Sequence, residues 1–397
     1  MSKHDTIINN HVLKNYNRYS MEFASGSGKY LYDTKGQEYL DFLSGIAVTG
    51  FGHQHIAIKT AVENQLNHIW HTSNLFEISL QETVAAGLCK FSGLDKVFFC
   101  NSGTEANEAA IKFARMRGNG RYEIIATEGS FHGRTMGALS MTGQAKVRNG
   151  FAPLLPGFVH VPFNDINAIA NAVTENTCAV FLEVIQGENG IIEADKNYIK
   201  ELRNICNEKN LLLIFDEVQT GIGRTGKFFS YQHYDVLPDV ISFAKGIANG
   251  LPLGGVICND KVAACIKPGC HGSTFGGNQI SLASASAVLE LMTPETLTDI
   301  EALGGFLMAK LHALQHPLIK AIRGKGLMVG IEIIETVEVK EIASLLLASG
   351  VVTGTAGNNT LRLLPPFIID VFDIGIFIDK LSGILNSLCE TILIKEG

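Results

Sequence analysis

The sequence lacks most of the features that mark a membrane, nucleic-acid or disulfide-stabilised protein. It has no run of about eighteen apolar residues, the length a spanning helix needs. It has no basic block either: 32 lysines and arginines face 39 acidic residues, and a net charge of −7 argues against a nucleic-acid surface or an anionic-membrane anchor. The eight cysteines stand singly with no Cys-x-x-Cys pair, so neither a zinc knuckle nor a disulfide framework is indicated, and a reducing compartment fits best. The segment CIKPGCHG, from Cys265 to Gly272, has no distant partner ligands, and no metal site is expected. The first residues, MSKHDTIINNHVLKNYNRYS, lack the apolar stretch of a secretory leader, so a cytoplasmic location is expected. Small molecules remain as the expected partners.

What is present is a 397-residue chain, 46% of it apolar, long enough for a large core and two domains. From Gln54 to Gly277, apolar runs (KVFFC, EIIA, CAVFLEV, LLLIFDE, DVISFA) alternate with helical patterns (EANEAAIKFARMR, KNYIKELRNICNEKN). That alternation predicts an α/β fold with a mostly parallel sheet. After Ser281 the pattern changes to helices in SLASASAVLELM, IEALGGFLMAKLHAL and VKEIASLLLASG, with short strands in GLMVGIEII and TLRLLPP, as in a smaller α+β domain. Early in the chain, KYLYD and EYLDF flank a Lys-Gly turn and read as a hairpin packing onto that second domain. The expected division is residues 1–53 joining the small domain, 54–280 as the large domain and 281–397 as the small one.

Ligands of open α/β sheets sit at the carboxyl ends of the strands, and three features fall at such ends. KVFFCNSGTEANEAAIKFA runs strand, tight turn, helix, so the N–H groups of Gly103 and Thr104 open a helix and can bind a phosphate. It does not match the P-loop pattern, which argues against nucleoside triphosphate chemistry. In LLLIFDEVQTGIGRTG, Asp216 follows five apolar residues, where an anion needs a cationic partner or several donors; Glu217 leaves an extended chain on the other face. In DVISFAKGIANGLPLGG, Lys245 ends an apolar run ahead of a string of glycines. Each feature alone has a bland reading as a helix cap, a structural salt bridge or a solvated lysine. Together they match what pyridoxal phosphate requires: a phosphate anchor, a partner for a protonated pyridine and a Schiff-base amine.

Eight motifs in order, YLDFLSGIAVTGFGH, NSGTEANEAAIKFAR, SFHGRT, EVIQGENG, FDEVQTGIGRTG, SFAKGIANGLPLGG, HGSTFGGN and LRLLPP, resemble the class III aminotransferases of the ornithine and acetylornithine type. The resemblance spans nearly the whole chain and implies a fold-type I pyridoxal phosphate transferase. By it, Lys245 and Asp216 are catalytic, Lys245 moving the proton and Asp216 pairing with the ring nitrogen. Ser102, Gly103, Thr104, Phe131, Glu217, Val218, Gln219 and Thr274 join them in binding the cofactor, with Phe131 on the ring face and Gln219 near the ring hydroxyl. Ser273 and Thr274 would reach the neighbouring subunit's site, implying a homodimer with shared active sites. Arg134 and Arg362 would take substrate carboxylates, Glu188 would pair with Arg362 when the other substrate is bound, and Tyr16 would contact substrate, with Tyr19 competing for that role. Ile46 after FLSG leans toward N-acetylornithine as amine donor and 2-oxoglutarate as acceptor, within arginine biosynthesis. The alternative is ornithine, succinylornithine or 4-aminobutyrate as donor. Val184, Asn189 and Gln279 depart from the family pattern, where proline, glycine or alanine, and proline are usual.

Overall fold

The structure, a computed structural model, describes residues 11–396; residues 1–10 of the expected amino-terminal segment lie outside the described residues. The central sheet has seven strands, in the order Lys96–Cys100, Gly254–Cys258, Val240–Phe243, Leu212–Asp216, Thr177–Leu182, Glu123–Thr127 and Phe158–Val161. All run parallel except Gly254–Cys258, which is antiparallel to both neighbours. Period-two alternation explains why these strands read as continuous apolar runs: Leu213 and Phe215 join one core, while Leu212 and Ile214 join another beneath the helix Gly103–Gly118. Both faces are covered, so no position is left for a polar side chain until the strand ends at Asp216.

Two strands of this sheet escape a sequence reading. Phe158–Val161 is only four residues long and stands among prolines. Gly254–Cys258 opens with two glycines, which pattern alone reads as a turn; a Cβ on Gly254 would stand 2.8 Å from the Ser102 carbonyl oxygen, so the strand needs glycine to pass that closely. The carboxyl-terminal part holds an antiparallel sheet of Ile319–Lys325, Met328–Ile333, Thr360–Leu363 and Gly354–Ala356, covered by the helices Pro294–Leu314 and Val339–Ala348, against which the helix Val371–Glu396 packs. The early hairpin, Tyr30–Asp33 with Glu38–Asp41, extends a second sheet by pairing in parallel with Val351–Val352. No helix among the described residues is long and apolar enough to cross a membrane.

Candidate active site

The strands Leu212–Asp216 and Val240–Phe243 end beside the amino terminus of the helix Gly103–Gly118, and a cavity of about 430 Å³ opens there. Ser102, Gly103, Thr104, Phe131, Arg134, Glu188, Asp216, Val218, Gln219 and Lys245 all line it. The helix terminus is held open by its own side chains: Ser102 caps it by accepting from the Glu105 N–H at 3.3 Å, and Glu105 accepts from the Asn101 N–H at 2.6 Å. Gly103 is required by its neighbour, because a Cβ there would stand 2.6 Å from Val218 Cγ1. The first residues of the helix thereby border the cavity, a cradle of the kind that takes phosphate.

Asp216 is buried and fully engaged on one oxygen. Its Oδ2 accepts from Asn107 Nδ2 at 2.8 Å and meets His132 Nδ1 at 2.7 Å, while Oδ1 accepts only the Val218 N–H at 3.0 Å. The carboxylate is therefore fixed with acceptor capacity left on Oδ1 for one more donor. Glu217 is not part of the cavity, which corrects its expected cofactor contact. Successive side chains leave a strand on opposite faces, and Glu217 accepts from Ser230 N–H, Tyr231 N–H and the hydroxyls of Thr220 and Ser230. Burial raises its pKa against those bonds, and its work is to cap the turn Ser230–His233.

Lys245 stands on the cavity floor at φ 47°, the first residue of a tight 3-10 turn and an uncommon conformation for a side chain. Burial brings its pKa down to about 8, and the charges of Glu188, Asp216 and Glu183 oppose that only through space. Arg362 is buried behind Glu188: Nη1 donates to Glu188 Oε1 and lies 3.4 Å from Gln219 Oε1, and Nε has no partner. Burial alone would raise Glu188, yet Arg362 holds it below the ordinary carboxylate range. Arg134 sits at the exposed rim with its guanidinium 5.6 Å from the Phe131 ring centre.

Several expected residues are not gathered here by the single chain. Tyr16 is 68% exposed on an irregular surface segment, Tyr19 is exposed on the same segment, and neither lines the cavity. Thr274 is exposed outside it; Ser273 touches it indirectly, accepting from Asn101 Nδ2 at 3.2 Å. Ile46 also stands outside, although Val48 lines the cavity. Three contributors were not foreseen. Glu183 follows the run CAVFL as Asp216 follows LLLIF, so the same signal was present; it accepts the Phe131 N–H at 2.9 Å, and burial together with the nearby Asp216 charge raises its pKa well above the usual range. His132 is adjacent to Phe131 in the motif, and Asn107 lies one helical turn beyond Thr104.

A helix-terminal cradle, a fixed carboxylate with a free acceptor site and a desolvated lysine fit pyridoxal phosphate, and on this sheet they define a fold-type I pyridoxal phosphate transferase. The family model described as Aminotransferase class-III matches residues 13–385, and the chain belongs to that family. The acetylornithine aminotransferase of Bacillus cereus is 47% identical over 365 residues, covering 91% of this chain and 94% of that protein. That of Streptococcus mutans is 45% identical over 382 residues, covering 92% and 97%. Among solved structures, the ornithine aminotransferase of Toxoplasma gondii superposes with a TM-score of 0.92 at 29% identity over 96% of this chain and 94% of its own. The N-acetylornithine aminotransferase of Stenotrophomonas maltophilia does so with a TM-score of 0.83 at 29% identity, over 95% and 98%.

Proposed function

We propose that this enzyme transfers the terminal amino group of N-acetylornithine to 2-oxoglutarate, giving N-acetylglutamate 5-semialdehyde and glutamate, in arginine biosynthesis. The observation that carries the reading is Glu188, which lines the same cavity as Lys245 and is ion-paired with the buried Arg362 behind it. An arginine masked by a carboxylate suits one pocket that meets an amine side chain in one half-reaction and a second carboxylate in the other. Relatives named for acetylornithine support the donor; ornithine-type structural neighbours support the alternative of ornithine or a related diamine.

Pyridoxal phosphate, when bound, supplies an electron sink for the carbon that carries the amino group. Asp216, immobilised by His132, Asn107 and the Val218 N–H, holds negative charge toward the ring nitrogen. Lys245, its amine partly unprotonated near neutral pH, would anchor the cofactor, and its Nζ would take up and return the proton of the donor carbon. Ser102, Gly103 and Thr104 would hold the phosphate, and Phe131, Val218 and Gln219 would hold the ring, since all six line the cavity. Arg134 takes the donor carboxylate with its planar fork. Arg362 takes the α-carboxylate of 2-oxoglutarate once Glu188 swings aside.

The chain works in the cytoplasm as a homodimer in which Ser273 and Thr274 complete the partner's site, with no nucleic acid or membrane involved. The proposed domain division is 1–53 with the small domain, 54–280 as the large domain and 281–397 as the small domain. The test is glutamate formation from 2-oxoglutarate by cofactor-loaded protein with N-acetylornithine, ornithine, succinylornithine and 4-aminobutyrate as donors. A preference for N-acetylornithine is expected; faster turnover of free ornithine or 4-aminobutyrate would overturn the donor assignment and leave the family chemistry intact.

A further inference from the structure

Beyond Gln219 the loop continues to Arg224, whose side chain is only 1% exposed and makes no ion pair among the described residues. Nη1 donates to two carbonyls, Leu327 O at 3.1 Å and Pro365 O at 2.5 Å, and the Arg224 carbonyl accepts the Leu327 N–H at 3.0 Å. The guanidinium lies 4.6 Å from the centre of the Phe367 ring, while Nε and Nη2 are buried without partners. Burial lowers its pKa to about 9 against the opposing charge of Asp41, so it remains a cation at neutral pH. A buried cation with two idle nitrogens is unfavourable beside an apolar residue of the same volume, and packing alone does not explain it.

Its two acceptors do. Leu327 immediately precedes the strand Met328–Ile333, and Pro365 closely follows the strand Thr360–Leu363. These strands are neighbours, and Gly330 of the first is paired with Arg362 of the second. One guanidinium thus grips the entry of one strand and the exit of the other. It does so from the loop whose opposite end, Gln219, lies 3.4 Å from Arg362 Nη1. The same loop therefore touches the pocket at Asp216 and fixes the frame on which Arg362 is mounted.

We propose that Arg224 is a positioning residue: it sets where the Arg362 guanidinium stands behind Glu188 at the cavity wall, and so governs recognition of the dicarboxylic acceptor rather than of the amine donor. The proposal rests on the reading that Arg362 binds the 2-oxoglutarate carboxylate, and its test separates the two. In cofactor-loaded enzyme, KM for 2-oxoglutarate and KM for N-acetylornithine are measured for Arg224→Lys, Arg224→Met, Arg362→Ala and the Arg224→Lys/Arg362→Ala pair, with cofactor content and Tm as controls of folding. Arg224→Lys keeps the charge but not the two-carbonyl grip. It is expected to raise the 2-oxoglutarate KM about tenfold and the donor KM less than about twofold, while the paired variant is no worse than Arg362→Ala alone. Equal rises in both KM values, no rise in either, or multiplicative effects in the pair would overturn it. If Arg362→Ala itself leaves the two KM values in their original ratio, the Arg362 reading fails and the proposal falls with it. Should neither Arg224 variant accumulate as folded protein, Phe367→Leu, which removes the aromatic face beneath Arg224, is judged by the same split, with about threefold expected for 2-oxoglutarate and an unchanged ratio counting against the proposal.

Discussion

Asp216 and Glu217 are adjacent carboxylates with opposite fates: one faces the cavity, the other caps a turn behind it, because an extended chain sends successive side chains to opposite faces. Lys245 is the residue whose environment has the clearest thermodynamic signature. Its folded pKa, about 8, lies below the ordinary 10.5, so between those values the unfolded chain binds the extra proton and stability rises with pH across that window. The full effect is on the order of 3 kcal/mol. In cofactor-free protein, the unfolding free energy of wild type minus that of Lys245→Met is expected to grow between about pH 7 and pH 10.5; a flat difference would mean that the amine is not desolvated. The lysine and the aspartate were legible because a charge at the end of an apolar run stands out. Glu183 carries the same signal, at the start of the motif EVIQGENG, whose later glutamate, Glu188, is the one the family resemblance marks. The bonds of His132 and Asn107 to Asp216 were not legible, since pairing across more than eighty residues depends on strand order, which no local pattern specifies.

Among the elements, the helix Gly103–Gly118 couples the sheet to the cavity. Ala106, Ala109, Ala110 and Phe113 press its inner face onto the sheet, and Asn119 ends it in the left-handed conformation. Small side chains bring its axis close, and that closeness is what leaves no room at Gly103. Gly103→Ala is expected to weaken pyridoxal phosphate binding at least about tenfold, as the added methyl displaces Val218 and the helix terminus, with a smaller loss of Tm. Equilibrium titration of the cofactor checks it, and unaltered affinity would remove the helix terminus as the anchor. The runs KVFFC, CAVFLEV and LLLIFDE announced their strands because both faces of the sheet are buried. Gly254–Cys258 did not, since its glycines serve close backbone approach, a tertiary demand that turn statistics misread.

For the molecule as a whole, the loops around Asn74 and Ser273 are tied by the Asn74 bonds to Ser273 O and Gly276 O, each 3.0 Å, and they present Trp70, Leu75, Phe76 and Phe275 outward, Phe275 being 59% exposed. A patch of this kind suits a subunit interface. Sedimentation is expected to give twice the 42.9 kDa chain mass, and Phe275→Glu to yield monomers with activity reduced about a hundredfold or more, because the proposed Thr274 contact is made in trans. Monomers with full activity would refute the shared site. The strand order has one more consequence, and it concerns synthesis. Lys96–Cys100, an edge strand whose end leads into the helix-terminal cradle, pairs with Gly254–Cys258, and Glu38–Asp41 waits for Val351–Val352. A nascent chain leaving the ribosome must carry Lys96–Cys100 unpaired, and the early hairpin with one edge of Glu38–Asp41 open, until most of the polypeptide has been translated. The cofactor pocket is thus a late product of translation, and a chain truncated before residue 258 lacks the partner that seats its anchoring helix.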